Sequence, residues 1–376
     1  MSEDVVIIGA GPAGLAVAAC LKERGVAAAI LEKAECVGSV WRRHYDRLHL
    51  HTNRGNSGLP GLKMPSAYGR YPARAQVVEY FDDYAAHHGL KPQFGVTVGR
   101  VRRDGALRRI EAGDASGPAR AVVIAAGMAD FPQVPAGPGQ ADCGGVILHS
   151  SLYRNPAPYK GKRVLVVGFG NSGGEIALDL AEAGVTTAIS VRGPVRVLPR
   201  DLFGIPILSF AIAQRLLPAR VSDAINAPVV RLATGSIEKL GLKMAAKGPR
   251  RMIEEDGRVP LLDVGTLAKI RSGAILVRPG VKSFSPGKVT FDDGKVEPFD
   301  AVILATGFKP DLRSLLPDDM DALDASGAPR MSGRESAPGL YFCGAKSVVT
   351  GVLREIGIEA TRIAEDIANR PGRAAP

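Results

Sequence analysis

Val5 to Ile8 are four consecutive apolar positions, followed by a glycine-rich turn and a run whose apolar residues recur at helical spacing. An unbroken apolar run of that length fits a parallel strand buried on both faces. The stretch "DVVIIGAGPAGLAVAACLKERGVAAAILEK" therefore predicts strand, loop, helix and a second strand. The same order returns in "RVLVVGFGNSGGEIALDLAEAGVTTAIS" (163–190). Two further apolar strands, in "ARAVVIAAGMADFP" (119–132) and "FDAVILATGFKPD" (299–311), each end in a small residue, a glycine and a turn. They flank the second glycine loop and read as crossings between two domains. Near the C-terminus, "GLYFCGA" (339–345) predicts a strand. "EIGIEATRIAEDIAN" then places Ile356, Ala360, Ile363 and Ile367 on one helical face. Strands alternating with helices predict an α/β protein with two Rossmann-like dinucleotide-binding domains, one inserted in the other. The expected division is 1–154 for the first part of the outer domain and 155–298 for the inserted domain. A helical insert is expected at about 202–250, and 299–376 completes the outer domain.

The two loops differ in chemistry. Gly9, Gly11 and Gly14 form GxGxxG between a predicted strand and helix. The first glycine permits the turn, the second lets a pyrophosphate approach the backbone, and the third lets helix and strand pack closely. The helix N-terminus offers unpaired N–H groups and a positive dipole end to the phosphates. Glu32 follows Gly11 by 21 residues, at the end of the next strand. A carboxylate there accepts from a ribose diol and disfavours a 2′-phosphate. The first site is thus expected to hold FAD or NAD, and the N-terminal GAGPAG spelling favours FAD. Gly168, Gly170 and Gly173 repeat the pattern. Ser190 stands 20 residues past Gly170, with Arg192 two later and no carboxylate beside them. A hydroxyl and a guanidinium suit a 2′-phosphate, so the second site is expected to take NADPH. Asn171, in the turn of this loop, is read as an uncharged amide near the nicotinamide or flavin. The alternative is a loop asparagine bonded to nearby backbone.

Composition narrows the partners. Net charge is +10, but no basic run is interleaved with aromatics, so anionic cofactors and an anionic small-molecule substrate are favoured over nucleic acid. Cys20, Cys36, Cys143 and Cys343 form no CxxC pair, which argues against a zinc site and a redox-active disulfide and fits a cytoplasmic setting. "MSEDVVIIG" carries no basic segment before its apolar run and does not read as a signal peptide. No apolar stretch reaches membrane-spanning length; "LFGIPILSFAIA" (202–213) is short and broken by Gly204 and Pro206. A homodimer is compatible with these features.

The layout resembles the class B flavin-dependent monooxygenases, and most of all the YUCCA-type indole-3-pyruvate monooxygenases. The resemblance runs through "LEKAECVGSVWRRHYDRLHLHT" (31–52), "YPARAQVVEYFDDYA" (71–85) and "HSSLYRNP" (149–156). It continues through "GFGNSGGEIALDLAEAG" (168–184), "VRGPVRVLPRDLFG" (191–204), "VPLLDVGTLAKIRSG" (259–273) and "DAVILATGF" (300–308). "DVGTLAKIRSG" is the stretch most specific to this subfamily. The resemblance implies FAD contacts at Gly9, Gly11, Gly14, Glu32, Lys33, Trp41, Gly127 and Gly344. It implies NADPH contacts at Gly168, Gly170, Asn171, Ser172, Gly173, Ser190 and Arg192, and an interdomain motif at Thr306 and Gly307. The chain departs from the family's identifying pattern Phe-x-Gly-x3-His-x3-Tyr at one position: "CGGVILHSSLY" has Cys143 in place of Phe, with Gly145, His149 and Tyr153 in register. Many animal-type relatives place an asparagine above the flavin in the segment after the Trp; His51 and Asn53 are the two candidates for that catalytic position here, and the sequence does not choose between them.

The activity implied is NADPH- and O2-dependent oxygenation through a flavin peroxide adduct, with oxidative decarboxylation of indole-3-pyruvate or a similar 2-oxo acid. The alternative is N- or S-oxygenation of a small heteroatom substrate. A disulfide or ferredoxin reductase and a non-catalytic flavin sensor are the readings from other classes. Arg47, Arg200 and Lys243 are candidate cations for a substrate carboxylate. The segment 202–250 is read as a wall of the substrate pocket or as a helical pair covering the NADPH domain; a membrane-surface role is the least favoured. His149 is expected to bond backbone at the domain junction or to touch cofactor, and His87 and His88 are expected to face solvent.

Overall fold

The computed structural model describes residues 3–127, 130–142, 144–346, 348 and 350–370. The chain forms two compact units. The first comprises 1–42, 52–131 and 308–376; the second comprises 43–51 and 132–307.

The first unit is built on Glu3–Ile8, which pairs in parallel with Ala28–Leu31 on one side and Gly117–Ile124 on the other. Leu340–Phe342 adds a fourth parallel strand beyond Gly117–Ile124. Glu335–Ala337 and the hairpin Arg100–Asp104/Leu107–Glu111 extend this sheet in antiparallel sense. Val5 and Ile7 are fully buried, as a doubly covered strand requires. The helix Pro12–Glu23 starts with proline at its first position, where the missing N–H costs nothing. It packs against the helix Val352–Ala368, which buries Ile356, Ala360, Ile363 and Ile367 on the face its periodicity predicts. Arg108 is 1% exposed and is held by the carboxylate of Asp319 at 2.5 Å and the Pro338 carbonyl at 2.7 Å.

The second unit carries a five-stranded parallel sheet. Its order is Ile275–Arg278, Thr186–Ser190, Arg163–Val167, Ala301–Leu304, Val146–His149. The helix Asn171–Glu182 follows its glycine loop. A three-stranded antiparallel sheet occupies Val281–Ser285, Lys288–Phe291 and Val296–Pro298. The insert contains helices Ile207–Ala213, Ala219–Thr234 and Pro249–Asp256.

The α/β class with two parallel-sheet units is as expected, but the boundaries lie elsewhere. Val146–His149 and Ala301–Leu304 are neighbours in the second sheet, so residues 132–154 and 300–307 join the second unit rather than the first. An all-apolar strand suits either sheet, and its pairing partner decides which one it enters. The segment 43–51 also belongs to the second unit, because Tyr45 is buried in that unit's core beside Tyr153, with ring centroids 6.3 Å apart.

Candidate functional site

In the first unit the glycine loop lies at the carboxyl end of the parallel strands, where open α/β sheets bind ligands. Gly9 has φ +108°, and a Cβ there would sit 2.6 Å from the Ala125 carbonyl oxygen. A Cβ on Gly14 would collide with the Gly9 carbonyl, whereas around Gly11 there is open space for 4 Å. The loop is therefore tight at its first and third glycines and open at its second, which is the cradle a pyrophosphate needs. Glu32 is 6% exposed; it accepts the N–H of Ala10 at 2.7 Å and that of Ala34 at 2.9 Å. It thus braces the loop from the end of the next strand. Gly344 comes to the same end of this sheet: its N–H donates to Glu359 at 2.7 Å, and a Cβ on it would meet Ala13 at 3.3 Å. Gly127 has φ +71° with open space around it. Lys33 forms an ion pair with Asp130, and Trp41 packs edge-on against Phe81 at 6.0 Å.

The second loop repeats this geometry. Gly168 has φ +115° and faces the Ala305 carbonyl, a Cβ on Gly173 would collide with the Gly168 carbonyl, and Gly170 is open for 4 Å. The first helical bond runs from Gly174 N–H to the Gly170 carbonyl at 2.9 Å. The N–H groups of Asn171, Ser172 and Gly173 therefore precede the bonded turns, as at any helix N-terminus. Asn171 is not bonded to the backbone of its own loop: its Oδ1 accepts the N–H of Leu262 at 2.8 Å, from a strand distant in sequence. This bond orients the amide, leaving its NH2 without an acceptor among the described residues. Leu262 lies in Leu261–Asp263, which pairs with Val197–Pro199. Thr266, fully buried, donates to the Gly174 carbonyl at 3.0 Å, and a Cβ on Gly265 would meet Leu178 at 3.3 Å. The "DVGTLAKIRSG" stretch thus braces the nucleotide helix along its length.

Ser190 and Arg192 separate. The Ser190 hydroxyl donates to the Pro279 carbonyl at 2.7 Å and the residue is 2% exposed, so it is engaged within the protein. Arg192 is exposed at the end of the same strand. Thr306 donates to the Gln133 carbonyl, and the Gly307 carbonyl accepts the Gln133 N–H at 2.9 Å.

His51 is brought to the nucleotide helix. Its Nε2 lies 3.0 Å from Glu175 Oε1, on a carboxylate side chain only 4% exposed. Burial, and then the charge of Glu175, push the Tyr45 phenol well up. Arg47 pairs with Glu182 and lies 3.9 Å from Asp179. The segment 43–51 thus reads three carboxylates spaced along one helix face, at 175, 179 and 182. Sequence reading missed Glu175 and Tyr45; a glutamate one turn inside a glycine-loop helix was their only signal. Asn53 is a different kind of residue. It caps the short turn Arg54–Asn56 by accepting the Asn56 N–H at 3.0 Å, which commits its oxygen to the backbone.

His149 is 4% exposed. Its Nε2 is 3.1 Å from the Gly307 carbonyl, while its Nδ1 accepts the Ser151 N–H at 3.1 Å. Nε2 is therefore the protonated nitrogen of the neutral ring. Burial holds its pKa below the ordinary value, and the Gly307 bond partly offsets that. His149 is a brace beside the TG motif. Of the other predicted cations, Arg200 lies 3.4 Å from Asp201 and Lys243 is exposed. His87 is exposed as expected, but His88 is not: its ring sits 4.5 Å from Tyr84, and burial lowers its pKa. The residue just past the helix Arg74–His87 turns inward here because Tyr84 offers it an aromatic surface one turn back. Cys143 lies outside the described residues. Cys20, Cys36 and Cys343 are free thiols, and among the described residues no cluster of side chains is arranged to hold a metal ion.

A family model described as pyridine nucleotide-disulphide oxidoreductase matches residues 6–201. The chain is 41% identical over 348 residues to indole-3-pyruvate monooxygenase YUCCA1 of Oryza sativa subsp. japonica, covering 90% of this chain and 86% of that one. It is 38% identical over 381 residues to probable indole-3-pyruvate monooxygenase YUCCA3 of Arabidopsis thaliana, covering 97% and 86%. A flavin-containing monooxygenase from Stenotrophomonas maltophilia superposes with a TM-score of 0.72 at 27% identity, covering 97% of this chain and 98% of that one.

Proposed function

The chain belongs to the flavin-dependent monooxygenases of the YUCCA type, and from that premise we propose that it converts indole-3-pyruvate, or a 2-oxo acid of similar shape, to the acid one carbon shorter. It is an FAD-dependent NADPH monooxygenase. The reaction consumes the keto acid, O2, NADPH and a proton; the shortened carboxylate, CO2, NADP⁺ and water leave. When bound, FAD supplies hydride acceptance from NADPH and activation of O2.

The chain's own residues divide the remaining work. The backbone of the Gly9–Gly14 loop holds the FAD pyrophosphate, and Glu32, already bracing that loop, takes the ribose hydroxyls. The Gly168–Gly173 loop holds the pyrophosphate of NADPH. Arg192 pairs with its 2′-phosphate; the Ser190 hydroxyl has no part in this, being spent on Pro279. Asn171, oriented by Leu262, offers its NH2 as an uncharged donor toward the nucleotide. Tyr45, with its pKa raised by burial and by Glu175, stays protonated beside the buried end of this helix.

The observation that carries the assignment is the contrast between the two loops. They share one backbone geometry, but a buried carboxylate closes the first while an exposed arginine ends the second strand. Such a pair holds one nucleotide with a free 2′-hydroxyl and one with a 2′-phosphate. The test is aerobic NADPH oxidation by the purified flavoprotein with and without indole-3-pyruvate, with products analysed. Indole-3-acetate formed in step with NADPH consumption supports the proposal. NADPH draining only to hydrogen peroxide overturns the substrate, and oxygen added to an amine or sulfide instead would move the enzyme to heteroatom oxygenation.

A further inference from the structure

The insert of the second unit turns its apolar side outward. Along the helix Ala219–Thr234, Val221 is 44% exposed, Ile225 54% and Leu232 80%. Their spacing of four and seven places them on one stripe. Leu216, just before the helix, is 87% exposed. Beside Val229 and Val230, the inward positions Ser222, Asp223 and Asn226 are polar. Ser222 donates to Gln214 at 2.7 Å, Asn226 donates to the same oxygen at 2.7 Å, and Asp223 accepts the N–H groups of Arg250 and Arg251. A surface helix in water has the opposite arrangement.

Phe203 adds to this surface. It sits at the tip of the hairpin Asp201–Leu202/Ile205–Pro206, 81% exposed. Its φ is +50°, the only positive value at a non-glycine residue among those described. A bulky residue there is strained, and the strain is held although the ring meets no core. Beneath the tip, Leu202, Ile207 and Leu262 cluster with Phe210 and Val229 of the two helices, so hairpin and helices form one surface feature.

Along 213–239 the exposed charge is predominantly basic, four cations against the one exposed acid Glu238. Arg215, Arg220, Arg231 and Lys239 are exposed along 213–239. The acids of that stretch are Asp223 and Glu238, and both are engaged, Glu238 by the Ser236 hydroxyl at 2.8 Å. An outward apolar stripe rimmed by arginine is the pattern of a helix lying in a lipid interface. A second copy of the chain is the weaker occupant, because a two-fold interface would set this rim against an identical one. We infer that the face formed by Phe203, Leu216, Ile225 and Leu232 docks on anionic phospholipid membranes without crossing them. Among the described residues no helix is long and apolar enough to span one.

The test uses the flavin-loaded enzyme and sedimentation with vesicles of phosphatidylcholine alone or mixed with phosphatidylglycerol. The enzyme is expected to sediment with the mixed vesicles, to release at high salt, and to bind neutral vesicles far less. The pair Arg220→Gln and Arg231→Gln is expected to weaken binding on the order of 30-fold, from the loss of two charges near the surface. The pair Leu216→Glu and Leu232→Glu is expected to abolish it. These positions are exposed, so flavin content and NADPH oxidation in free solution should stay at wild-type level in both. Absence from the anionic vesicle pellet, or binding untouched by either pair, overturns the inference. So does a concentration-dependent dimer in light scattering that Leu216→Glu and Leu232→Glu dissociate, which would assign the face to a second copy.

Discussion

Asn171 Oδ1 accepts the backbone N–H of Leu262 at 2.8 Å, joining the first residue of the nucleotide helix to a strand some ninety positions away. Asn171→Ala leaves that N–H unpaired on a residue only 5% exposed, at a cost of about 1–3 kcal/mol. Its melting temperature should fall by a few degrees. Asn171→Asp keeps the acceptor but sets a negative charge beside the phosphates of NADPH. It should melt like wild type, retain FAD, and show a raised KM for NADPH. An aspartate variant with unchanged KM would remove the side chain from the nucleotide site.

The twin loops can be separated by one methyl group each. Gly14→Ala drives a Cβ into the Gly9 carbonyl, and Gly173→Ala does the same to the Gly168 carbonyl. Backbone cannot yield there without moving the helix off its sheet. Gly14→Ala should purify without flavin absorbance. Gly173→Ala should purify yellow yet fail to bleach on anaerobic addition of NADPH, while dithionite still reduces it. Loss of flavin from both variants would show that the two loops do not hold separate nucleotides.

Under the proposed function, coenzyme choice falls to Arg192 and not to Ser190. The sequence pairs Ser190 with it, but the serine hydroxyl is buried against Pro279. Arg192→Ala should raise KM for NADPH by about 10- to 100-fold, the value of a charge-assisted phosphate pair, and leave NADH almost unaffected. Ser190→Ala should leave the NADPH to NADH ratio unchanged. An equal loss for both coenzymes in the Arg192 variant would exclude a contact with the 2′-phosphate.

What was legible follows from how local each signal is. The glycine loops and Glu32 could be read directly, because turn, helix start and acid lie within one βαβ unit. The "DVGTLAKIRSG" stretch could be singled out but not explained, since its bond to Gly174, and that of the preceding Leu262 to Asn171, span about ninety residues. The crossing of 43–51 into the second unit left no periodic trace; it depends on Tyr45 finding Tyr153 and Glu175. The engagement of Ser190 within the protein was illegible for the same reason. Its type and position suited a phosphate, and only the neighbouring strand end at Pro279 decided otherwise.

Burial of His149 makes the fold sensitive to mild acid, and the sign can be worked out. Its pKa is lowered in the folded state, by burial first, against an ordinary value near 6.5. Protonation would also place a hydrogen on Nδ1, which already accepts the Ser151 N–H. As pH falls below about 6.5, the unfolded chain takes up a proton that the folded chain refuses. The unfolded state then binds more protons, so stability declines with falling pH, by at most about 1.4 kcal/mol per pH unit for this group. The decline continues until the folded pKa is reached. His88, lowered by burial in the first unit, acts in the same direction. Asp179, raised by burial, acts oppositely, because its contribution is lost as pH rises through its folded value. The two are separated by comparing wild type with His149→Gln, which keeps Asp179 and removes one titration. Urea unfolding of the two proteins from pH 7 to 5 should give a shallower loss of stability for the variant. Parallel slopes would mean that His149 takes up its proton as readily in the folded protein as in the unfolded chain, and that burial does not lower its pKa.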